Sequence, residues 1–377
     1  MIFSGKALAN DLTAGKVLIF AEDPGAATYL AHFPAILQNA GRDCEVLATG
    51  HALELWARNG KNCQALPPQA SATDVLDLNR PSLVIVGTSE NPDSFSFELT
   101  QAARTEGIKT VGVVDSAANA SERFRGRGSD PLSFAPDWLI VPDQETAREF
   151  NALGFPIERV GVCGHPQYDA ISALRWKWNG QDRSVMRDRW LPAAQGRPIL
   201  MFVSEISTGL NPQQYRRSSA YTLEGKQENE GRTEIVLDEL LLAIENLAEK
   251  PYLVLRLHPK QGWDDLAHHR LLFDQVSQAE PALEMVYSAD VVVGMTSMLL
   301  HESALLGRST LSLIPRAEER AWLGQLASAI PCVWTRQGLY RVLPEIMADS
   351  GGRIGAAVSQ DAHDAITALL RRVLNER

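Results

Sequence analysis

The chain has 377 residues, of which 45% are hydrophobic and 22% are charged. A single domain usually has about 100–200 residues, so two domains are predicted, and the composition excludes a disordered or fibrous protein. The formal net charge of −10 argues against duplex nucleic acid as a partner, because DNA binding requires a broad cationic surface. An anionic ligand must therefore be held by a local pocket.

The cysteine spacing and the apolar segments indicate a cytoplasmic protein. The four cysteines lie far apart without a CxxC pair, which fits a reducing compartment. Residues 1–14 lack the apolar core of a secretory signal, and no segment approaches the ~20 apolar residues that span a bilayer. Alternating cationic and aromatic residues at Arg175-Trp176-Lys177-Trp178 suit peripheral contact with the inner face of a membrane, or else are tryptophans buried in a linker.

The first half of the chain has the pattern of a parallel α/β domain. Short apolar runs alternate with stretches of helical length, such as 28–39 and 94–106, as expected for βαβ units. This predicts an N-terminal Rossmann-like domain over 1–172. The predicted strands are 17–20, 44–47, 83–86, 110–114, 139–141 and 160–162.

A second series of the same kind follows a linker predicted over 173–196, which is rich in Trp, Arg, Gln and Pro. It predicts a C-terminal Rossmann-like domain over 197–350 and a C-terminal helical region over 351–377 that packs on either domain. The polar segment 207–233 is a lid or a plain flexible loop. The predicted strands are 198–203, 252–257, 291–293 and 310–314, and the predicted helices are 234–249, 263–278, 298–306 and 361–374.

Ligands bind outside the carboxyl ends of strands in doubly wound sheets, so the loops after strands are the candidate sites. The first such loop is Glu22-Asp23-Pro24-Gly25. Its two carboxylates could bind sugar hydroxyls or deprotonate an acceptor, and Gly25 permits close backbone approach to a substrate. The alternative is a helix start with favourable charges. Ser89, after the strand predicted over 83–86, is a further polar candidate for substrate contact, or else part of a turn that caps the following helix.

Asp115 ends an apolar strand, which predicts a carboxylate held rigidly at the cleft, as a general base requires. Asn119 follows in the same loop as a substrate candidate. Arg123 could hold a substrate carboxylate in a bidentate pair. A helix cap at Asp115 and a solvated loop around Arg123 are the alternatives.

Two loops in the second half of the chain have residues suited to binding a phosphate group. Arg256, His258 and Lys260 lie at the end of a buried strand, and Pro259 restricts His258 to extended geometry. The loop 294–297 opens a helix with Thr296 and Ser297, whose hydroxyls and nearby N–H groups form an uncharged cradle. Glu302, on the same helix, could accept hydrogen bonds from a ribose. No histidine spacing suits a metal, so no metal site is predicted.

These motifs resemble those of GT-B-type glycosyltransferases. The His258-Pro259 pair is similar to the HP motif of bacterial sialyl-, polysialyl- and Kdo-transferases and of CDP-glycerol glycerophosphotransferases, where it contacts the cytidine phosphate of the donor. Thr296-Ser297 resembles their serine-rich phosphate loop, and Asp115 stands where their acidic base stands. The resemblance implies an inverting, metal-independent transferase whose donor is CMP-nonulosonic acid or CMP-Kdo.

A second resemblance is to UDP-GlcNAc 2-epimerases, which share this fold. Glu302 followed by Gly307, and then Leu313-Ile314-Pro315-Arg316, is similar to their nucleotide-binding region. This resemblance implies UDP binding and the loss of UDP from UDP-GlcNAc without an acceptor. A non-catalytic nucleotide-sugar-binding protein is the third hypothesis.

The sequence therefore predicts an α/β protein with two doubly wound domains facing across a cleft, acting on a nucleotide sugar as substrate with no separate cofactor. The expected partner is a glycan or lipid-linked acceptor. The predicted catalytic residues are Asp115 and His258, with Glu22 and Asp23 as the other source of the base. The predicted donor-binding residues are Arg256, His258, Lys260, Thr296, Ser297, Glu302 and Arg316, and the predicted substrate contacts are Gly25, Ser89, Asn119 and Arg123.

Overall fold

Two parallel sheets form the frame of the protein. The computed structural model describes residues 15–116, 118–206, 216–262, 264–349 and 361–376. The first sheet has the order β3-β2-β1-β4-β5-β6-β7 and contains β1 (Val17–Ala21), β2 (Cys44–Ala48), β3 (Gln64–Ala65), β4 (Leu83–Gly87), β5 (Lys109–Val113), β6 (Trp138–Val141) and β7 (Val160–Val162). The second has the order β10-β9-β8-β11-β12-β13 and contains β8 (Ile199–Val203), β9 (Tyr252–Arg256), β10 (Gln275–Ser277), β11 (Val291–Gly294), β12 (Ser309–Leu313) and β13 (Cys332–Val333).

Helices connect the strands and cover both faces of each sheet. Those of the first half and the connection are α1 (Pro24–Leu30), α2 (Phe33–Asn39), α3 (Gly50–Arg58), α4 (Ala72–Asn79), α5 (Phe95–Thr105), α6 (Gln144–Ala152), α7 (Pro166–Lys177) and α8 (Gly180–Trp190). Those that follow are α9 (Arg232–Glu245), α10 (Ala267–Arg270), α11 (Ala282–Ser288), α12 (Met298–Leu305), α13 (Arg336–Ala348) and α14 (Ala362–Asn375). Short 3₁₀ segments lie at Ala120–Glu122, Ile157–Arg159, Pro192–Ala194 and Ala317–Leu326.

The central strands are apolar along their whole length because both faces of each sheet are covered. All five residues of β1 and all five of β8 are buried. Every strand pair in both sheets is parallel. The strand order reverses between β1 and β4 and again between β8 and β11, and such reversals open a crevice at the carboxyl ends. The predicted fold, two doubly wound domains, is confirmed.

Two predicted helices differ from the structure. The helix predicted over 263–278 is wrong: only Ala267–Arg270 is helical, and 275–277 is the edge strand β10, paired with β9. Ser277 is buried there because it accepts a hydrogen bond from Arg256 Nη1 at 2.7 Å. The helix predicted over 28–39 is divided into α1 and α2, since Pro34 at the start of α2 favours a new helix start.

The structure shows which domain the predicted linker, the C-terminal helix and part of the polar segment 207–233 pack against. The predicted linker contains all of α8, which pairs with the second domain through Arg183 Nη2 and Asp290 Oδ1 at 2.6 Å. Helix α14 returns to the first domain, where its apolar face joins the core. Of the polar segment 207–233, residues 207–215 lie outside the described residues, and Leu223 is buried in the second domain. The predicted domain boundaries and the lid remain predictions.

The described residues contain no helix that is long and apolar enough to cross a membrane. Trp176 is 83% exposed at the end of α7, whereas Trp178 packs against the core of the second domain. Contact with a membrane surface therefore remains a prediction.

Replacing Ile366 by alanine is expected to lower the free energy of unfolding by about 3 kcal/mol, because it opens a cavity in the core that α14 shares with the first sheet. Chemical denaturation followed by circular dichroism measures the change. Arg371→Ala, on the exposed face of the same helix, is the matched control and should leave stability nearly unchanged. Equal loss in both variants would contradict the docking of α14.

Candidate active site

An ion pair joins the carboxyl ends of the two sheets. Lys260, just after β9, donates from Nζ to Asp23 Oδ1, just after β1. Asp23 is the N-cap residue of α1, but its side chain makes no capping hydrogen bond, so the carboxylate is directed to the lysine instead. This contact brings a carboxylate of the first domain and an ammonium group of the second domain together across the cleft.

Glu22 lies beside this pair in an environment that favours its protonated form. Burial raises the pKa of Glu22, the hydrogen bond with Ser89 lowers it, and the neighbouring charge of Asp23 raises it again, with a net upward shift. Its Oε2 accepts from the backbone N–H of Phe95 at 3.3 Å. A carboxyl group whose pKa is raised toward neutrality can both accept and return a proton. The structure thus brings the predicted residues Glu22 and Ser89 together.

Asp115 and Gly25 are in direct contact, as the tight approach of α1 to β5 requires. A side-chain carbon at Gly25 would lie 1.9 Å from Asp115 Oδ2, so only glycine allows α1 to begin against this carboxylate. Asp115 is itself nearly buried and pairs with Arg123, whose Nη1 lies 3.0 Å from Oδ1. The carboxylate is held in one orientation by these neighbours.

Arg123 and Asn119 make contacts within the first domain. The other guanidinium nitrogens of Arg123 donate to Ser116 Oγ at 3.1 Å and to the carbonyl of Ala118 at 3.2 Å. Asn119 has a left-handed backbone (φ 59°) and donates from Nδ2 to Glu90 Oε1 at 2.8 Å. The structure thus places Arg123 as the partner of Asp115, and its predicted role as a clamp on a substrate carboxylate stays a prediction.

His258 is neutral and oriented at the end of β9. Burial, together with the charge of Lys260, lowers the pKa of His258 to about 4. Its Nδ1 accepts the backbone N–H of Lys260 at 3.1 Å, so the ring hydrogen lies on Nε2. Gln261 Oε1 accepts the His258 N–H at 2.8 Å and fixes the turn. His258 can therefore donate one hydrogen bond to an anion without carrying a charge.

The loop after β11 already holds an anion, the carboxylate of Glu205. Glu205 follows β8 and accepts hydrogen bonds from the backbone N–H and the hydroxyl of Thr296. Burial would raise the pKa of Glu205, but Arg232 and Thr296 outweigh it and hold the pKa below its usual value. Ser297 caps α12 through its hydroxyl. The predicted phosphate cradle at Thr296 is thus partly filled by a side chain of the protein.

A buried ion network lies behind this loop. Arg232 is 1% exposed and donates to Glu205 Oε2 at 2.8 Å and to Glu319. Glu319 also accepts from Arg316 Nε at 2.9 Å. Arg316, predicted to bind the donor, therefore supports the network. Arg256, predicted for the same role, is buried on Ser277, 3.5 Å from the carboxylate of Glu280.

Glu302 lies on α12 at the junction of the two domains. Burial, against the lowering effect of its hydrogen bond from Gln167, raises the pKa of Glu302 to about 7. The donor is Gln167 Nε2, at 3.2 Å from Oε1, on helix α7. A carboxylate at this place can accept hydrogen bonds from hydroxyl groups of a ligand.

The described part of the chain contains no group of three or more His, Cys, Asp and Glu side chains that could hold a metal ion. The site instead combines the carboxyl groups of Glu22, Asp23 and Asp115 with two second-domain groups. These are the neutral imidazole of His258 and the ammonium group of Lys260. Such a set can move protons and can stabilise a phosphate leaving group.

Sequence reasoning missed Glu205, Arg232 and Gln167. Glu205 directly follows a buried strand, so the rule that selected Asp115 and His258 should also have selected it. Arg232 and Gln167 lie on the first turns of helices and carry no local signal, because their partners are 87 and 135 residues away in the chain.

Comparison with known proteins supports the fold. No protein-family model matches the sequence, and no curated protein matches it in sequence. The structure is similar to UDP-GlcNAc 2-epimerase from Neisseria meningitidis bound to UDP-GlcNAc, with 16% identity and a TM-score of 0.63 over 95% of this chain and 100% of that chain. It is also similar to S. aureus MnaA in complex with UDP, with 14% identity and a TM-score of 0.65 over 96% and 97% of the two chains.

A glycosyltransferase has the same fold. The enzyme from Rickettsia africae is 10% identical, with a TM-score of 0.57 over 96% of this chain and 94% of that chain. At these identities the similarity shows the architecture, two facing α/β domains of the GT-B type, over nearly the whole chain.

Replacing Arg232 by methionine is expected to lower the free energy of unfolding by about 3 kcal/mol, because two buried carboxylates lose their shared cation. Urea unfolding measures the loss. In the control Arg127→Met, which breaks the exposed pair with Asp93, stability should hardly change. If Arg232→Met were as stable as the parent chain, the network would not contribute to folding.

Proposed function

We propose that this chain is an enzyme acting on a UDP-activated sugar, with an activity like that of a UDP-GlcNAc 2-epimerase. The observation that carries the proposal is the ion pair between Asp23 and Lys260. It places first-domain carboxylates opposite the second-domain groups suited to phosphate, His258 and Lys260. A sugar between them would have its diphosphate on one side and proton-transfer groups on the other.

The comparisons support a uracil nucleotide over the CMP-sugar suggested by the HP motif. The similar epimerases carry UDP-GlcNAc or UDP in their structures, and the chain shares their architecture along its length. Arg123, which a CMP-linked acidic sugar would need as a carboxylate partner, is engaged by Asp115. The epimerase-like reaction is therefore favoured over transfer of a CMP-activated sugar.

Inversion at C2 of such a sugar can proceed by elimination and return. A carboxylate takes the proton from C2, the C–H electron pair forms the C1–C2 double bond, and the C1–O bond breaks with its electrons leaving on UDP. UDP then adds back to C1 while a proton is delivered to the other face of C2. Glu22 has the raised pKa suited to one proton transfer, and Asp23 or Asp115 would supply the other.

The second-domain groups would lower the barrier to the departure of UDP. The His258 Nε2–H and the Lys260 ammonium can donate to phosphate oxygens as negative charge develops there. The neutral state of His258 makes it a fixed hydrogen-bond donor, so charge compensation would come from Lys260. This chemistry requires no metal ion.

The glycosyltransferase hypothesis remains the second candidate, because the similar Rickettsia africae protein is described as one. It would use the same cleft, with a carboxylate deprotonating an acceptor hydroxyl in place of C2. A dependence of UDP release on added acceptor distinguishes the two reactions.

Calorimetric titration is expected to show that the chain binds UDP and that CMP binds at least about tenfold more weakly. Lys260→Met should weaken UDP binding, since one phosphate partner is lost, whereas Lys61→Met, at an exposed lysine of the first domain, should not. Absence of UDP binding would reject the proposal, and tighter binding of CMP would restore the CMP-sugar hypothesis.

Incubation with UDP-GlcNAc in deuterium oxide, without acceptor, is expected to exchange hydrogen for deuterium at C2 and to release UDP slowly, as NMR would detect. Glu22→Gln should slow exchange by about 10²–10⁴-fold, because the amide cannot take a proton. Glu106→Gln, on the exposed end of α5, is the control. Sugar transfer without exchange at C2 would instead identify a transferase.

A further inference from the structure

The first turn of α7 connects the two domains through a line of three polar side chains. His32 Nε2 lies 3.2 Å from Gln167 Oε1, and Gln167 Nε2 lies 3.2 Å from Glu302 Oε1. His32 belongs to the first domain, at the start of α2, and Glu302 to the second domain, on α12. The Gln167 amide is thus hydrogen-bonded to both domains at once.

This arrangement has a defined direction. A carboxylate oxygen only accepts, so the Gln167 amide presents its NH₂ group to Glu302 and its carbonyl oxygen to His32. His32 must then donate from Nε2, which the neutral imidazole can do in one tautomer. In this orientation Gln167 Nε2 always donates to Glu302 Oε1, and this hydrogen bond favours the ionised form of the Glu302 carboxyl group.

The backbone of Gln167 is itself held in place. His165 caps α7 by accepting the Gln167 N–H on Nδ1 at 3.3 Å. The His165 ring is fully buried between Tyr29, at 4.3 Å between ring centroids, and Tyr168, at 4.6 Å. The Gln167 side chain therefore starts from a rigid support.

Glu302 retains capacity for a ligand. Within the described part of the chain, the Gln167 amide is the one donor that reaches its side chain, whereas a carboxylate accepts about four hydrogen bonds. Two adjacent hydroxyl groups match the two oxygens of a carboxylate, so the remaining capacity suits a ribose diol. Such bonds form best when the carboxylate is ionised and held at a fixed angle.

We propose that Gln167 is a positioning residue that, oriented by His32, holds the Glu302 carboxylate for the hydroxyl groups of the ribose and so sets the preference for ribonucleotides over deoxyribonucleotides. This inference rests on the proposed function, because it takes the ligand to be UDP or a UDP-sugar. Gln167 itself does not contact the nucleotide; it acts through Glu302.

Calorimetry with UDP and 2′-deoxyuridine diphosphate tests the inference. The full chain should bind UDP about tenfold or more tightly than the deoxynucleotide, the ratio that one hydrogen bond to a charged group provides. Gln167→Met keeps the length of the side chain and removes both hydrogen bonds. This variant should reduce the ratio of the two affinities to about threefold or less, mainly by weakening the binding of UDP.

A neighbouring substitution separates positioning from general support. Tyr168→Phe keeps the ring that packs against His165 and removes only the hydroxyl, which contacts His301 and Met298 rather than Glu302, so the ratio of the two affinities should stay as in the parent chain. His32→Phe removes the far end of the line and should lower the ratio in the direction of Gln167→Met. It also provides the test if Gln167→Met does not fold, as judged by thermal melting.

Each result decides the inference. The inference would be overturned if Gln167→Met weakened the binding of both nucleotides equally, or if Gln167→Met and His32→Phe both left the ratio of the two affinities unchanged. Either result would leave the proposed function intact. Failure of the parent chain to bind UDP would instead reject the proposed function and, with it, this inference. A smaller ratio in Gln167→Met and His32→Phe, with Tyr168→Phe unchanged, supports it.

Discussion

The contact of Lys260 with Asp23 is the constraint on which the site depends. Each residue follows a central or near-central strand of its own sheet, so the pair aligns the two carboxyl edges directly. Because both side chains remain partly exposed to solvent, the ion pair can break when a ligand supplies other charges to the lysine.

If the proposed function holds, the charge distribution explains how an acidic protein would accept a polyanion. Near the phosphate loop, Arg232 and Arg316 are balanced by Glu205 and Glu319. His258 is neutral, and Lys260 is compensated by Asp23. These groups together therefore carry no net charge, and in the proposed reaction a diphosphate would gain its main electrostatic partner when Lys260 exchanges Asp23 for phosphate. Asp23 would then be released beside the sugar, where a proton-transfer group is needed.

Periodicity and strand-end position predicted much of the molecule. The long buried strands were predictable because five-residue apolar runs such as that of β1 have few alternatives in an α/β chain. Three of the four edge strands, β3, β10 and β13, were not predicted. β10 contains one apolar residue, and its strand geometry is decided by pairing with β9 and by the Arg256 bond to Ser277. Tertiary contacts, which no local pattern reports, decided these cases.

The candidate site, like the fold, was predictable from local sequence only in part. Glu22, Asp23, Asp115 and His258 were selected by their positions after strands, and the structure brings Asp23 together with Lys260 and Glu22 with Ser89. What position could not show is the partner of each group. The sequence predicts separate substrate roles for Asp115 and Arg123, but the structure pairs the two side chains with each other and packs Gly25 against the pair. Glu22 has no cationic partner among its described contacts, and burial raises its pKa, so it is the better candidate for proton transfer.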